Sequence, residues 1–246
     1  MLKKRVIITL TFNNGVLFRT KNFNPDYRYT KNFIDLWSID ELMIIDVSKR
    51  KNFKKFQNII KDFSRNCFVP ITVGGGIKDI DQVNQCFNNG ADKILLGSES
   101  IKNPKLISLV SKKFGNQSII QSVDFKKIDN KSYKIMCQSG KRLTNIDIIK
   151  LCNSYINKGV GEILLNDVSN DGSLLGYDLK FLKKISKKIK CPTLALGGAG
   201  KWEHILEIFK KTKIQAACTQ NIYHFTEESI LSAKRFLKKN NIDIRV

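Results

Sequence analysis

Histidine is almost missing from this 246-residue sequence: His204 and His224 are the only two, too few for a multi-histidine metal centre. Six cysteines (Cys67, Cys86, Cys137, Cys152, Cys191 and Cys218) stand far apart without a CxxC pair. That spacing argues against a zinc site or a disulfide framework and for reduced, mostly buried thiols. No apolar run approaches the roughly 18 to 20 residues of a membrane span. The start, Met1 to Arg5, runs straight into a strand-like segment without a cleavage region. The expectation is a cytoplasmic protein with no membrane contact, no metal and no cofactor. Acidic residues are scarce too, 22 Asp and Glu against 43 Lys and Arg, a formal charge of +21. Such basicity is compatible with nucleic acid. The lysines, however, recur within helical patterns (Lys54, Lys55, Lys183, Lys184) and form no single stretch interleaved with aromatics. They read as solvated helix faces, with a nucleic-acid partner the lesser alternative and steering of phosphorylated anions a further use of the charge.

What is present is an alternation. Mostly apolar strand candidates lie at 5–12, 41–47, 69–74, 92–97, 118–125, 161–167, 192–197 and 215–220, with helical patterns between them at 52–64, 79–89, 103–114, 143–158, 179–189, 202–211 and 226–239. Continuous apolar strands belong to a parallel sheet covered on both faces. About eight strand–helix units in roughly 250 residues suit either a closed barrel or a doubly wound sheet.

An internal repeat decides between them. VGGGIK at 73–78 resembles LGGAGK at 196–201, an offset of 123 (196 − 73), half of 246. ELMIID at 41–46 resembles EILLND at 162–167, and ITLTF at 8–12 sits where QSVDF at 121–125 sits in the second half. The expected fold is therefore α/β, a (β/α)₈ TIM barrel of one domain, residues 1–246, made of half-barrels at about 1–115 and 116–246.

Three sets of residues could carry chemistry. The two glycine-rich turns follow strands three and seven at the C-terminal mouth, where glycine lets backbone N–H groups approach a phosphate. One such turn alone reads as an ordinary tight connection; a symmetric pair favours an elongated ligand with a phosphate at each end. Carboxylates near strand ends form the second set: Asp124, Asp46, Asp167 and Asp171, placed where barrel enzymes keep their catalysts. Asp124 has Thr11 as its half-barrel counterpart, and a threonine cannot serve as a base at neutral pH. Asp46 and Asp171 could equally cap helices or turns. The third set is Arg5, Glu41, Lys93 and Glu162 at strand starts, two cations and two anions able to close the barrel bottom as a ring. Spacing alone leaves these as stabilising or solvent-exposed charges.

Together MLKKRVI, DELMIIDV, PITVGGGIKD, GADK, GVGEILL, NDG…GYD (170–178), LALGGAGKWEH and IYHF…LK…NNIDIRV resemble the cyclase subunit (HisF) of imidazole glycerol phosphate synthase over nearly the whole chain, with 20–38 shorter and diverged. The resemblance implies a HisH-type glutaminase on the barrel bottom and a gate of Arg5, Glu41, Lys93 and Glu162 through which ammonia enters. It implies phosphate cradles at Gly76 and Ser98 and at Gly172, Gly198 and Asn221, for a phosphorylated small-molecule ligand. The family's second catalytic aspartate matches Asp124, whereas Thr11 stands in place of the first. Gly97 replaces a usual asparagine, Leu196 a usual serine, and Gln220-Asn221 a small Ala-Ser pair. In these departures the chain resembles divergent relatives associated with surface-polysaccharide synthesis, which implies ammonia supply to a third, sugar-modifying amidotransferase in place of cyclisation. An authentic cyclase of histidine biosynthesis is the alternative.

Overall fold

The computed structural model describes residues 3–28, 38–129, 132–137, 142–220 and 230–246. In chain order β1 (Arg5–Asn13) is followed by a hairpin pair, β2 (Val16–Lys21) and β3 (Asn24–Arg28), and then β4 (Glu41–Asp46). Helix α1 (Phe53–Ser64), β5 (Ile71–Gly74), α2 (Ile80–Asn88), β6 (Lys93–Leu96), α3 (Glu99–Lys102) and α4 (Lys105–Phe114) complete the first half. The second half runs β7 (Ile119–Lys127), β8 (Tyr133–Cys137), β9 (Arg142–Thr144), α5 (Ile148–Asn157), β10 (Glu162–Asp167), α6 (Leu179–Ser186), β11 (Thr193–Leu196), α7 (Trp202–Lys211), β12 (Ala216–Thr219) and α8 (Ile230–Lys239).

Eight of these strands close a parallel barrel. β1 pairs in parallel with both β4 and β12, and β7 with both β6 and β10, so no barrel edge is left open. Alternation along each strand then divides the apolar residues between two cores. Ile7, Met43, Leu95, Ile120, Leu164, Leu194 and Cys218 fill the lumen. Their strand neighbours Val6, Ile8, Leu42, Ile44, Val73 and Ile163 pack outward against the helices. The helices begin at side-chain caps that satisfy otherwise orphaned backbone donors: Asn52 accepts from Lys55 N, Asp79 from Gln82 N, Asp147 from Lys150 N and Asp178 from Phe181 N.

All eight expected barrel strands form; six are trimmed at one or both ends, while β1 and β7 run past their expected C-terminal ends. Three expectations need correction. The helix expected over 143–158 begins only at Ile148, because Arg142–Thr144 pairs antiparallel with β8 and Asp147 supplies the cap. The helix expected over 103–114 starts at Lys105 behind Pro104, with the separate turn α3 before it. The glycine turns also pair differently: Gly75 (φ +111°) matches Gly197 (+106°) and Gly76 (+92°) matches Gly198 (+101°). That is an offset of 122 (197 − 75), one less than the sequence alignment suggests. The helical pattern at 226–239 is described only from Ile230.

Neither hairpin was among the expected strands, and they are themselves a symmetric feature. β1 and β7 are both nine residues long and outrun the barrel; each carries an antiparallel extension, β2–β3 on β1 and β8–β9 on β7. The first is closed by Asn14 (φ +53°) and Gly15 (φ +82°), the two consecutive left-handed residues that match a hairpin's twist.

Candidate active site and the charge ring at the barrel bottom

At the barrel bottom the four charges expected as a ring do meet. Arg5 donates from Nη1 to Glu41 and from Nη2 to Glu162 Oε1 at 3.0 Å. Lys93 Nζ lies 3.2 Å from Glu41 Oε2 and 3.6 Å from Glu162 Oε1. Each cation thus bridges both glutamates, and the four side chains are buried or half-buried, facing one another and not bulk water. Burial opposes the Arg5 charge, but the two glutamates outweigh it and hold the guanidinium above its ordinary value. Only the glutamates obey the twofold: Ile7 pairs with Glu41 and Ile120 with Glu162, whereas the counterpart of Lys93 is Ala216.

Above the ring the lumen is largely apolar. Thr9 and Thr72, both buried on lumen-facing positions, have hydroxyls with no hydrogen-bond partner among the described residues, as has Oε2 of Glu162. The Cys218 thiol shares this space, and burial pushes its pKa far up, so it stays protonated and inert.

At the mouth the candidate carboxylates separate into different jobs. Asp46 accepts from Ser48 N at 2.8 Å and from Ser48 Oγ, with Lys51 Nζ 3.7 Å away. Its counterpart Asp167 accepts from Ser169 N at 3.0 Å and Asn170 N at 3.3 Å, and burial raises its pKa to about 6. Both therefore hold turns. Asp46 also lies on the outward register of β4, five residues from lumen-facing Glu41, so the bulge needed to bring both inside is not used. Asp171 is turned toward the first hairpin: it accepts from Thr20 Oγ1 at 3.1 Å and Phe23 N at 2.8 Å.

Of the four, Asp124 alone is held only by lumen-facing neighbours, accepting from Ser122 Oγ at 2.8 Å and Asn166 Nδ2 at 3.0 Å. Burial raises its pKa, Asp171 adds to that, and the two donors oppose it. Asp124 is thus a buried carboxyl at the mouth that holds its proton more tightly than an ordinary aspartate. Thr11, opposite it by symmetry, is buried and donates its hydroxyl proton to the Phe18 carbonyl of β2. The proton is committed to the hairpin.

Gly76 and Ser98 follow the neighbouring strands β5 and β6 at the first-half mouth, where the Lys51 side chain packs over Gly76 and Lys78 adds positive charge near Lys51. Burial, ahead of Lys78, lowers the Lys51 pKa, with Asp46 opposing. Gly172 and Gly198 lie at the second-half mouth under other backbone, and Asn221 falls outside the described residues. Sequence reading missed the Thr20 and Ser122 partners; the Asn14-Gly15 pair was the one signal for the hairpin that brings Thr20 there. A cleft of about 650 Å³ lies elsewhere, between β8–β9, α5 and α6, and touches none of these residues. Among the described residues no cluster of metal ligands occurs and no helix is long and apolar enough to cross a membrane.

A family model described as histidine biosynthesis protein matches residues 9–228. Imidazole glycerol phosphate synthase subunit HisF of Hydrogenobaculum sp. (strain Y04AAS1) is 34% identical over 255 residues, covering all of both chains. The subunits of the same name from Flavobacterium johnsoniae and Streptococcus mutans are 34% and 32% identical, again over the full length of both chains.

Proposed function

The chain belongs to the histidine biosynthesis protein family, alongside the HisF subunits, and from that premise we propose that it receives ammonia from a HisH-type glutaminase docked on the barrel bottom and passes it through the lumen. The ring of Arg5, Glu41, Lys93 and Glu162 carries this reading. A neutral ring of two cations and two anions presents no net charge to neutral ammonia, while the apolar lumen behind it rejects ammonium, whose desolvation would be uncompensated. Lys93 holds Glu162 at 3.6 Å, the longest of the four contacts, and is the member that yields with least loss. The hydroxyls of Thr9 and Thr72 offer hydrogen bonds to a passing ammonia molecule in an otherwise apolar stretch of the lumen.

The delivered ammonia, in this reading, serves an acceptor other than a cyclisation substrate of the chain itself, a surface-polysaccharide sugar handled by a third amidotransferase. Ring closure with separate acid and base needs two titrating groups at the mouth. Asp124 is one; Thr11 supplies none, its proton being held by the Phe18 carbonyl. A second reading, an authentic cyclase, is favoured by the names of the full-length relatives.

The test is reconstitution with HisH-type glutaminases. Complex formation should stimulate glutamine hydrolysis, and Lys93→Met should let ammonia escape to solvent instead of reaching the mouth. If no glutaminase associates, the channel reading fails. In parallel, the chain with free ammonia and the family's phosphorylated ribulosyl substrate should show no turnover above background; loss of an acid–base group lowers rates by roughly 10²–10⁴, so clear turnover would establish the cyclase instead.

A further inference from the structure

The cleft of about 650 Å³ lies where β7 outruns the barrel. The start of β8 and the end of β9 line one side of it, and the first turns of α5 and α6 the other. Strand ends and helix starts share one end of a (β/α)₈ barrel. The cleft therefore stands at the mouth end of the molecule, away from the charge ring.

Its interior is apolar, and its aromatic rings are already occupied. Tyr133 stacks on Phe181 with centroids 4.1 Å apart, Phe181 packs on Phe125 at 4.3 Å, and the Tyr133 hydroxyl donates to Asp178 Oδ2 at 2.7 Å. The side chains that face outward are aliphatic. Ile146 in the cleft wall is 40% exposed, and Leu143, beside the lining residue Thr144, is 44% exposed. The Thr144 hydroxyl is buried and has no hydrogen-bond partner among the described residues.

The rim carries one sign of charge. Lys134, Lys180 and Lys184 line the cleft, and none of them is ion-paired among the described residues. Positions 180–190 hold six lysines, all exposed, while 179–202 contain no Asp or Glu. The adjoining carboxylates Asp129, Asp147 and Asp178 each accept from backbone or hydroxyl donors of their own surroundings and reach none of these lysines.

These features choose among the anions a basic cleft attracts. Single-stranded nucleic acid needs exposed rings on which bases stack, and here the rings stack on each other. A second copy of the chain would bring a further charge of +21. A small anion would leave most of the charge unused, because Lys180, Lys184 and Lys187 recur at i, i+4 and i+7 along one face, a row about 10 Å long. A row of that length beside exposed aliphatic side chains fits a polypeptide.

We infer that this cleft docks an acidic segment of another protein, whose aliphatic side chains enter beside Ile146 and whose carboxylates meet Lys134, Lys180 and Lys184. The Thr144 hydroxyl bonds to the backbone of that segment. Such a partner sits at the mouth end and leaves the barrel bottom open, so its docking is independent of the ammonia route.

A random dodecapeptide library displayed on phage and selected against the whole chain tests this. Recovered peptides should combine several Asp or Glu with Leu, Ile or Val. As free labelled peptides they should bind about tenfold or more weakly, by fluorescence anisotropy, to Lys180→Glu/Lys184→Glu and to Ile146→Ser. Lys54→Glu/Lys61→Glu reverses the same number of charges on α1, half-way round the barrel, and should leave affinity unchanged. All five positions are exposed, so the fold survives these changes. No enriched peptide, equal weakening by the two charge reversals, or indifference to Ile146→Ser would each overturn the assignment. So would polyuridylic acid, phosphatidylglycerol vesicles, inorganic phosphate or a second copy of the chain, if bound more tightly than the peptides and lost in the cleft variants.

Discussion

Asp167 shows what a single buried carboxylate at the mouth does to stability. Its pKa is raised to about 6 by burial, with Asp178 adding to the effect, against an ordinary value of 3.8. The folded protein therefore binds this proton more tightly than the unfolded chain. The associated stability is fully present below about pH 4 and is lost as pH rises through 6, at up to about 3 kcal/mol. Asp167→Asn keeps an acceptor for Ser169 N and Asn170 N and removes the charge. It should be more stable than the parent at pH 7.5, with the gap closing by pH 4, as read from urea midpoints across that range. A difference that does not change with pH would mean that the shift is not real. Which mouth carboxylates hold turns and which faces the lumen was not legible in the sequence. Asp46, Asp124, Asp167 and Asp171 all end strands or start loops, and only the neighbours supplied by other strands, Asn166 for Asp124 and Thr20 for Asp171, separate them.

Elements were more legible than roles. The apolar runs located all eight barrel strands because parallel strands buried on both faces need continuous apolar sequence. Hairpins β2–β3 and β8–β9 escaped because β3 is entirely exposed, β9 is mostly exposed, and the apolar runs of β2 (16–18) and β8 (135–137) are only three residues long. The symmetric glycine turns were legible as a pair, but their roles diverge with context. Gly75 serves packing: a Cβ there would lie 2.2 Å from the Asp46 carbonyl oxygen, on a backbone at φ +111°. Gly75→Ala combines a backbone clash with a disfavoured conformation and should destabilise by roughly 2–4 kcal/mol, visible as a lower urea midpoint at unchanged slope. An effect below about 0.5 kcal/mol would show that the β4–β5 contact is loose, and with it the geometry of the first-half cradle. The four bottom charges were visible as a possible ring, but spacing alone did not choose between a ring and solvent-exposed charges. Alternation within one strand says nothing about whether Arg5, Glu41, Lys93 and Glu162 reach the same height; the stagger of four strands around a closed barrel settles that.

At the scale of the whole molecule, a barrel must close its last unit onto its first, and here the seam is fastened by a charge pair that no motif announces. Lys234 of α8, only 4% exposed, places Nζ 2.7 Å from Asp40 Oδ1, just ahead of β4. The other oxygen of Asp40 accepts from Val6 N of β1 at 2.8 Å. Nearby, Arg5 N donates to Gln215 O and Lys4 N to Asp243 O, so the chain's two ends meet over one strand. In a protein of charge +21 a buried lysine is an expense to folding unless its partner is intact. Lys234→Met strands the Asp40 carboxylate in the seam and should lower stability by about 3–5 kcal/mol. Adding Asp40→Asn keeps an acceptor for Val6 N while removing the stranded charge, so the double variant should recover part of that loss. Amide exchange of the β1–β12 pairing should accelerate in Lys234→Met and slow again in the double variant. If the two substitutions simply add, the pair contributes packing alone, and closure rests on the strand ladder and the ring beneath it.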